Sequence, residues 1–242
     1  MIRELSQLIR KSEYTVVFTG AGMSTASGIP DYRSKTGLWR SKDPSKLASV
    51  AAMQNNRQEF IEFYKERVQL YGNKKPNRGH LLLADWEKEE KLHSVITQNI
   101  DGFHRLAGNQ NVIELHGTIQ TFHCQICGKK YPNHVYIDEH YECCCGGFIR
   151  PSITLFGEML PEKAFQNAET ECEKADLMIV LGSSLTVSPA NQIPLYAKQT
   201  GAKLVIINKE PTEFDHWADV VYHEDIIHVL EKTNVELNEP LQ

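Results

Sequence analysis

Residues Tyr14 to Gly22 read YTVVFTGAG. A run of β-branched and aromatic residues without strict alternation suits a strand buried on both faces. It passes into Thr19-Gly20-Ala21-Gly22. Two glycines there let a backbone come close to a pyrophosphate, and a short helix expected over Met23–Ser27 would offer its free N–H groups to the same anion. The pattern is incomplete. Position 25 is Thr where a dinucleotide fingerprint has its third glycine, and no acidic ribose ligand stands about 20 residues further on. A tight turn without a ligand would produce the same letters, so the reading needs support from the rest of the chain.

That support comes from three further apolar runs. Ser94–Thr97 (SVIT) runs into Gln98-Asn99-Ile100-Asp101, Asp176–Leu181 (DLMIVL) into Gly182-Ser183-Ser184, and Lys203–Ile207 (KLVII) into Asn208-Lys209-Glu210. Helical patterns lie between and around them: Ile2, Leu5, Leu8 and Ile9 form one face, and His80–Lys91, Pro161–Lys174, Pro189–Gln199 and Asp225–Lys232 are expected helices, with Pro161 and Pro189 in first turns where no N–H is needed. Strands alternating with helices imply an α/β parallel sheet covered on both faces. Ligands of such sheets bind beyond the carboxyl ends of the strands, and all four runs deliver glycines or small polar groups to that edge. The second glycine–hydroxyl turn, Gly182-Ser183-Ser184, favours a dinucleotide over a mononucleotide. Asn208 or Glu210 could bind ribose hydroxyls in place of the missing acid.

Two segments break the rhythm. Pro30 to about Lys75 is a loop followed by helix-like sequence, and Ile119 to about Pro151 holds most of the cysteines. Both read as insertions that form a smaller module. The tail Asn234–Gln242 is polar and expected to fray.

With 26 Lys plus Arg against 31 Asp plus Glu, the 242-residue chain has a net charge of −5, which excludes a general attraction to nucleic acid or anionic lipid. No apolar run is long enough to span a membrane. The opening MIRELSQLIRKSEY lacks a signal-peptide core, so a soluble cytoplasmic protein is expected. Nothing in the sequence specifies an oligomeric state.

Five of the six cysteines, at 124, 127, 143, 144 and 145, crowd into one segment. Cys124-x-x-Cys127 followed after 15 and 17 residues by Cys143 and Cys145 matches a tetrahedral thiolate zinc site. Four thiolates leave no open position, so the metal is expected to hold together an insert that lacks a core of its own. Only Lys129 and Lys130 are basic nearby, which argues against a nucleic-acid-binding ribbon. Cys172 lies in a helical stretch and reads as core.

Asn99 and Asp101 stand at a strand end, and His116 lies in Glu114-Leu115-His116-Gly117, just before the cysteine insert. An imidazole can take a proton near neutral pH and is the natural general base of this set.

Taken together, GAGMSTASGIPDYRS (20–34), KPNRGH (75–80), TQNIDGFH (97–104), ELHG (114–117), the two cysteine pairs, RPSITLFGEMLP (150–161), GSSLTVSPA (182–190) and INK (207–209) resemble the sirtuins, the NAD-dependent protein deacylases, in the family's order from Gly20 to Lys209. The resemblance implies a Rossmann-like doubly wound parallel sheet with a smaller inserted zinc-binding and helical domain. The large domain would comprise 1–31, 76–118 and 152–242, and the small one 32–75 and 119–151. It implies removal of an acyl group from lysine with NAD consumed: the amide oxygen attacks the ribose carbon bearing nicotinamide, nicotinamide leaves, and the acyl group ends on ADP-ribose. The partners would be acylated-lysine proteins or peptides, with no nucleic acid and no membrane.

By position, the resemblance makes His116 the base acting on the ribose hydroxyls, has Asn99 orient ribose and a water, and has Asp101 with Ile100 hold the nicotinamide carboxamide. Gly20, Ala21 and Gly22 would approach the pyrophosphate. Thr25, Asp31, Tyr32, Arg33 and Gln98 would line the cofactor pocket, Gly182, Ser183, Ser184 and Asn208 its phosphate and adenosine side, and Asp225 with Ile226 a looser adenine contact. Phe156, Gly157, Glu158 and Val187 would flank an extended peptide that pairs backbone to backbone. Zinc would sit on Cys124, Cys127, a third ligand and Cys145, the place of the family's last ligand. That ligand usually closes a C-x-x-C pair, but Glu142 stands three residues before Cys145. In an extended segment alternate side chains share a side, which selects Cys143 over Cys144 as the third ligand and leaves Cys144 as the alternative.

Two departures matter. Tyr32 stands where the family usually has Phe, and its extra hydroxyl needs a partner. Tyr64-x-x-Arg67 is similar to sirtuins that remove succinyl or malonyl groups: residues three apart share a helix face and Arg can hold a carboxylate bidentately, although Asp31 departs from those enzymes. Besides the deacetylase reading, protein mono-ADP-ribosyl transfer starts from the same loss of nicotinamide. A non-catalytic NAD-sensing or binding module is disfavoured by the presence of His116, Asn99 and Asp101.

Overall fold

The computed structural model describes residues 2–239. The strands are Thr15–Thr19 (β1), Ser94–Thr97 (β2), Val112–Glu114 (β3), Gly117–Cys124 (β4), Lys130–Pro132 (β5), Ile149–Ile153 (β6), Leu177–Leu181 (β7), Lys203–Ile207 (β8) and Val220–Tyr222 (β9). The α-helices are Ile2–Lys11 (α1), Pro44–Leu47 (α2), Val50–Asn55 (α3), Arg57–Gly72 (α4), Arg78–Lys88 (α5), Phe103–Ala107 (α6), Glu162–Lys174 (α7), Gln192–Gln199 (α8) and Ile226–Asn238 (α9). A parallel sheet has the order β3-β2-β1-β7-β8-β9, and an antiparallel one the order β5-β4-β6.

The central strands are apolar on both sides because both sides are covered. Val17, Val95, Ile179, Val205 and Ile207 face α1, α5 and α9 through Leu5, Ile9, Leu83, Trp86, Val229 and Leu230. Val16, Phe18, Ile96, Met178, Val180 and Ile206 face α7 and α8 through Ala168, Cys172, Ile193 and Ala197. In these four strands odd-numbered residues join one layer and even-numbered residues the other, the period of two a strand imposes. Cys172 is core, as expected. Strand order reverses between β1 and β7: the chain leaves β1 toward β2 and β3 and returns to build β7, β8 and β9 on the other side. This is the switch point at which doubly wound sheets open a crevice.

A third core joins the two insertions. Phe60, Ile61, Phe63, Tyr64 and Val68 of α4 pack with Phe122, Tyr136 and Ile149 from the cysteine region. The insertion thus has a core, but only as a joint product of two excursions of the chain.

Several boundaries differ from expectation. The turn after β1 begins a 3-10 helix at Ala21 that runs to Ser27, rather than an α-helix from Met23. α5 starts at Arg78, because the Asn77 side chain and His80 form a capping box, and it stops at Lys88 instead of Lys91. Pro161 is the N-cap of α7, not its first turn, and Pro189 lies outside α8, whose proline is Pro194. Asp225 caps α9, which continues to Asn238, so residues 234–238 of the expected frayed tail are helical, while 240–242 lie outside the described residues. β3, β9 and α6 went unread, and no helix among the described residues is long and apolar enough to cross a membrane.

Candidate active site

The turns after β1 and β7 meet backbone to backbone. Gly22 N–H donates to the Gly182 carbonyl at 2.8 Å. A Cβ on Gly20 would lie 2.7 Å from that carbonyl oxygen, and a Cβ on Gly22 2.8 Å from the Gly182 Cα. Side chains here would force the turns apart, so the glycines set the floor of a cavity of about 900 Å³ that opens at the switch point. Every sequence-predicted residue other than the cysteines lines this cavity, including those of the first insertion and of the C-terminal half. The glycine cradle and the cavity's size fit a dinucleotide.

At its centre, His116 sits between β3 and β4, half-buried, with Nδ1 2.9 Å from the Gln98 carbonyl. A carbonyl only accepts, so Nδ1 carries the hydrogen and Nε2 is the basic nitrogen. Burial pulls the imidazole below its ordinary range; the Gln98 contact opposes this, and the Arg33 cation adds to it. Gln98 also donates from Nε2 to Ser183 Oγ at 2.8 Å, which ties the β2 and β7 turns together. Asn99 is buried and donates its amide hydrogens to the Gly20 carbonyl (2.9 Å) and Ser24 Oγ (3.3 Å). Ser24 Oγ donates to Asp101 Oδ2 at 2.7 Å, and Phe103 N–H to Asp101 Oδ1 at 2.8 Å. Burial raises Asp101 above the usual carboxylate range, against these two donors. Ser24 was not singled out from sequence, where a serine in a glycine-rich turn reads as a capping or turn residue.

Farther out, Tyr32 stacks on Trp39 with ring centroids 5.1 Å apart, and its hydroxyl finds Tyr71 Oη at 3.4 Å. Thr25 Oγ1 donates to the Gly22 carbonyl, and Asp31 Oδ1 accepts from the Arg33 and Ser34 amides, so both also shape their own loop. Asn208 donates to the Glu210 carbonyl, and Asp225 pairs with Lys209 at 2.9 Å besides capping α9. Glu158 is engaged by Arg150, whose Nη2 lies 3.0 Å from Oε2. This carboxylate therefore fixes the loop, while Phe156 and Gly157 present backbone. Phe156 exchanges hydrogen bonds of 3.0 Å with Ala48 O and Val50 N, joining that loop to the first insertion.

The sulfur atoms of Cys124, Cys127, Cys143 and Cys145 all lie within 4.8 Å of one another, a group that does not include Cys144. The Cys124–Cys145 and Cys127–Cys143 separations are 3.5 and 3.6 Å, close to the ~3.8 Å edge of a tetrahedron with Zn–S bonds of ~2.3 Å. Backbone N–H of Cys145 and the Tyr131 hydroxyl hold the Cys143 thiol down to about 5, which favours the thiolate a metal needs. The donor set fits zinc. The two-residue spacing arises differently from the extended alternation expected: residues 143–146 form a turn closed by Gly146 N–H on the Cys143 carbonyl at 2.8 Å. Gly147 is obligatory here, since a Cβ would lie 2.4 Å from Cys124 Sγ. None of the four cysteines lines the cavity.

Residues 20–189 match the model of the Sir2 family. The chain is 59% identical over 213 residues to an NAD-dependent protein deacetylase of Oceanobacillus iheyensis, covering 88% of this chain and 90% of that one. It is 52% identical over 237 residues to NAD-dependent protein deacetylase 1 of Geobacillus kaustophilus, covering 97% and 98%. A solved Sir2 complex with a p53 peptide and NAD+ superposes with a TM-score of 0.89 at 38% identity, covering 98% of each chain. A structure of Sir2Tm bound to a propionylated peptide gives the same score and identity, covering 97% and 98%. A family match over most of the chain, whole-length relatives and a common fold leave one assignment: the chain belongs to the Sir2 family.

Proposed function

We propose that this chain is an NAD-dependent protein-lysine deacetylase in which His116 is the general base. The carrying observation is the switch-point cavity, where the glycine cradle, His116, Asn99 and the Phe156 loop converge. NAD, when bound, supplies a ribose carbon activated by its nicotinamide leaving group. The chain does the rest. Nε2 of His116, left bare by the Gln98 contact, accepts a proton from a ribose hydroxyl. Asn99, pinned to the first glycine turn, orients ribose and water. Asp101 with Ile100 receives the carboxamide. The turns at Gly20–Gly22 and Gly182–Ser184 take the phosphates, and Asn208, Asp225 and Ile226 the adenosine end. Phe156, Gly157 and Val187 pair with the backbone of an acyl-lysine peptide, and Glu158 holds their loop. Zinc crosslinks Cys124, Cys127, Cys143 and Cys145 and takes no part in the chemistry. The shared core supports assigning 1–31, 76–118 and 152–242 to the NAD-binding domain and 32–75 with 119–151 to the small one. Unpaired thiols at a zinc-type spacing suit a cytoplasmic setting.

The test is mass analysis of an acetyl-lysine peptide incubated with and without NAD. Peptide lighter by one acetyl, free nicotinamide and acetyl-ADP-ribose are expected, only with NAD. A peptide heavier by ADP-ribose would instead establish mono-ADP-ribosyl transfer.

One observation favours a second acyl class. Arg67 is 5% exposed, lines the cavity beside Tyr64, and lies over the Phe63 ring at 4.8 Å, with no carboxylate partner among the described residues. A buried cation without a counter-ion is costly, and a succinyl or malonyl carboxylate would supply one. Arg67→Met is then expected to lower succinyl-lysine turnover by at least about tenfold relative to acetyl-lysine. Equal effects on both substrates would remove this reading.

A further inference from the structure

Behind the reaction centre runs a string of buried polar groups that the chemistry above does not use. Asn99 N–H donates to Thr97 Oγ1 at 3.0 Å. Thr19 Oγ1 donates to the same oxygen at 2.7 Å. His104 Nε2 lies 3.0 Å from Thr19 Oγ1. Thr19 and Thr97 are register partners at the carboxyl ends of β1 and β2, and His104 reaches them from α6. Thr19, Thr97 and His104 are each no more than 3% exposed.

The direction of the string follows from its ends. An amide N–H only donates, so Thr97 Oγ1 accepts there. The Thr19 hydroxyl donates to Thr97 and has His104 Nε2 as its other neighbour. His104 Nδ1 is buried and faces the Asn109 side chain, whose contact opposes the effect of burial on the ring. Burial pushes this imidazole down to about 3 against the Asn109 contact, so the ring stays neutral. Residues 98–101 follow β2 outside regular structure, and Thr97 Oγ1 is the hydrogen-bond partner of the Asn99 peptide N–H. If that peptide turned, the Asn99 carboxamide would leave Gly20 and Ser24.

We infer that His104 is a positioning residue that acts through Thr19 and Thr97 to fix the backbone amide of Asn99, and so the aim of its carboxamide at the reacting ribose. This rests on the proposed role of Asn99. Small displacements of an orienting group cost rate rather than binding. Removal of the string is therefore expected to lower kcat by about tenfold or more, with KM for NAD held within about twofold.

The experiment compares Thr97→Val with Thr97→Ser, and His104→Phe with His104→Gln. Nicotinamide release is measured at saturating peptide over a range of NAD, alongside thermal melting. Val and Phe break the string; Ser and Gln keep a hydroxyl or an N–H at the same place and are expected to restore most of kcat. If His104→Phe does not fold, the Thr97 pair decides, because it exchanges one hydroxyl for a methyl. Wild-type kcat in Thr97→Val overturns the inference, and so does an equal loss in Thr97→Ser, which would mean packing alone. Asn99→Ala separates the two levels of the argument. If it is inactive while Thr97→Val is not, only the positioning role falls. If Asn99→Ala is fully active, the proposed role of Asn99 fails and takes the string with it.

Discussion

At the scale of single residues, the protonation of His116 is the property most open to test. Its burial and the Arg33 cation both favour the neutral ring, so the proposed base is ready at neutral pH and is lost only on acidification. The acid limb of kcat/KM is expected to have its midpoint below the ordinary histidine value of about 6.5. Removing the neighbouring positive charge in Arg33→Met should move that midpoint upward, and an unmoved or lowered one would show that another group limits the rate. His116→Ala should retain fold and zinc but lose nearly all turnover. Individual site residues were legible because they follow strand ends, where the architecture leaves few other uses for Asn, Asp and Ser. Ser24 was not legible, since its bond to Asp101 spans a turn and a strand end far apart in sequence.

At the scale of elements, legibility followed length and burial. The four central strands announced themselves as apolar runs. β3 and β9, three residues each, are too short to show a pattern. α4 was read only as helix-like, because Phe60, Phe63, Tyr64, Arg67, Val68 and Tyr71 bury much of its circumference, which blurs the contrast between faces. The cysteine turn brings together the four sulfurs the spacing pointed to, but a turn closed at Gly146 aims Cys143 and Cys145, not a strand. Cys144→Ser is therefore expected to bind one zinc per chain and Cys143→Ser to bind none stably, as metal content after dialysis would show. Zinc retained by Cys143→Ser would point to Cys144 as the substitute. Gly147→Ala, which drives a methyl group into Cys124 Sγ, should weaken zinc retention without touching any ligand.

At the scale of the whole molecule, the parallel sheet binds two layers into one body, and its stability should carry the mark of two buried imidazoles. His80 and His104 lie with ring centroids 4.8 Å apart, and burial holds both below the ordinary range, His104 down to about 3. In the unfolded chain they take up protons near pH 6.5, whereas in the fold they do not, so stability falls as the pH drops through that value. Between pH 7 and pH 5 the slope should approach about 1.4 kcal/mol per pH unit for each ring, measurable by denaturant unfolding. A flat profile there would show that the unfolded state does not gain these protons. The candidate site lies where the two-layer body meets the small module, and that module is assembled from two separate stretches of chain. The stretches become available at different times. Phe60 and Phe122, which share its core, are 62 positions apart. At a synthesis rate of ~5–20 residues per second the first emerges from the ribosome on the order of 3–12 s before the second. For that interval the apolar face of α4 lacks its partners from the cysteine region, and the last zinc ligand arrives later still. The half-made chain, rather than the finished enzyme, is where scarce zinc or a busy chaperone would first be felt.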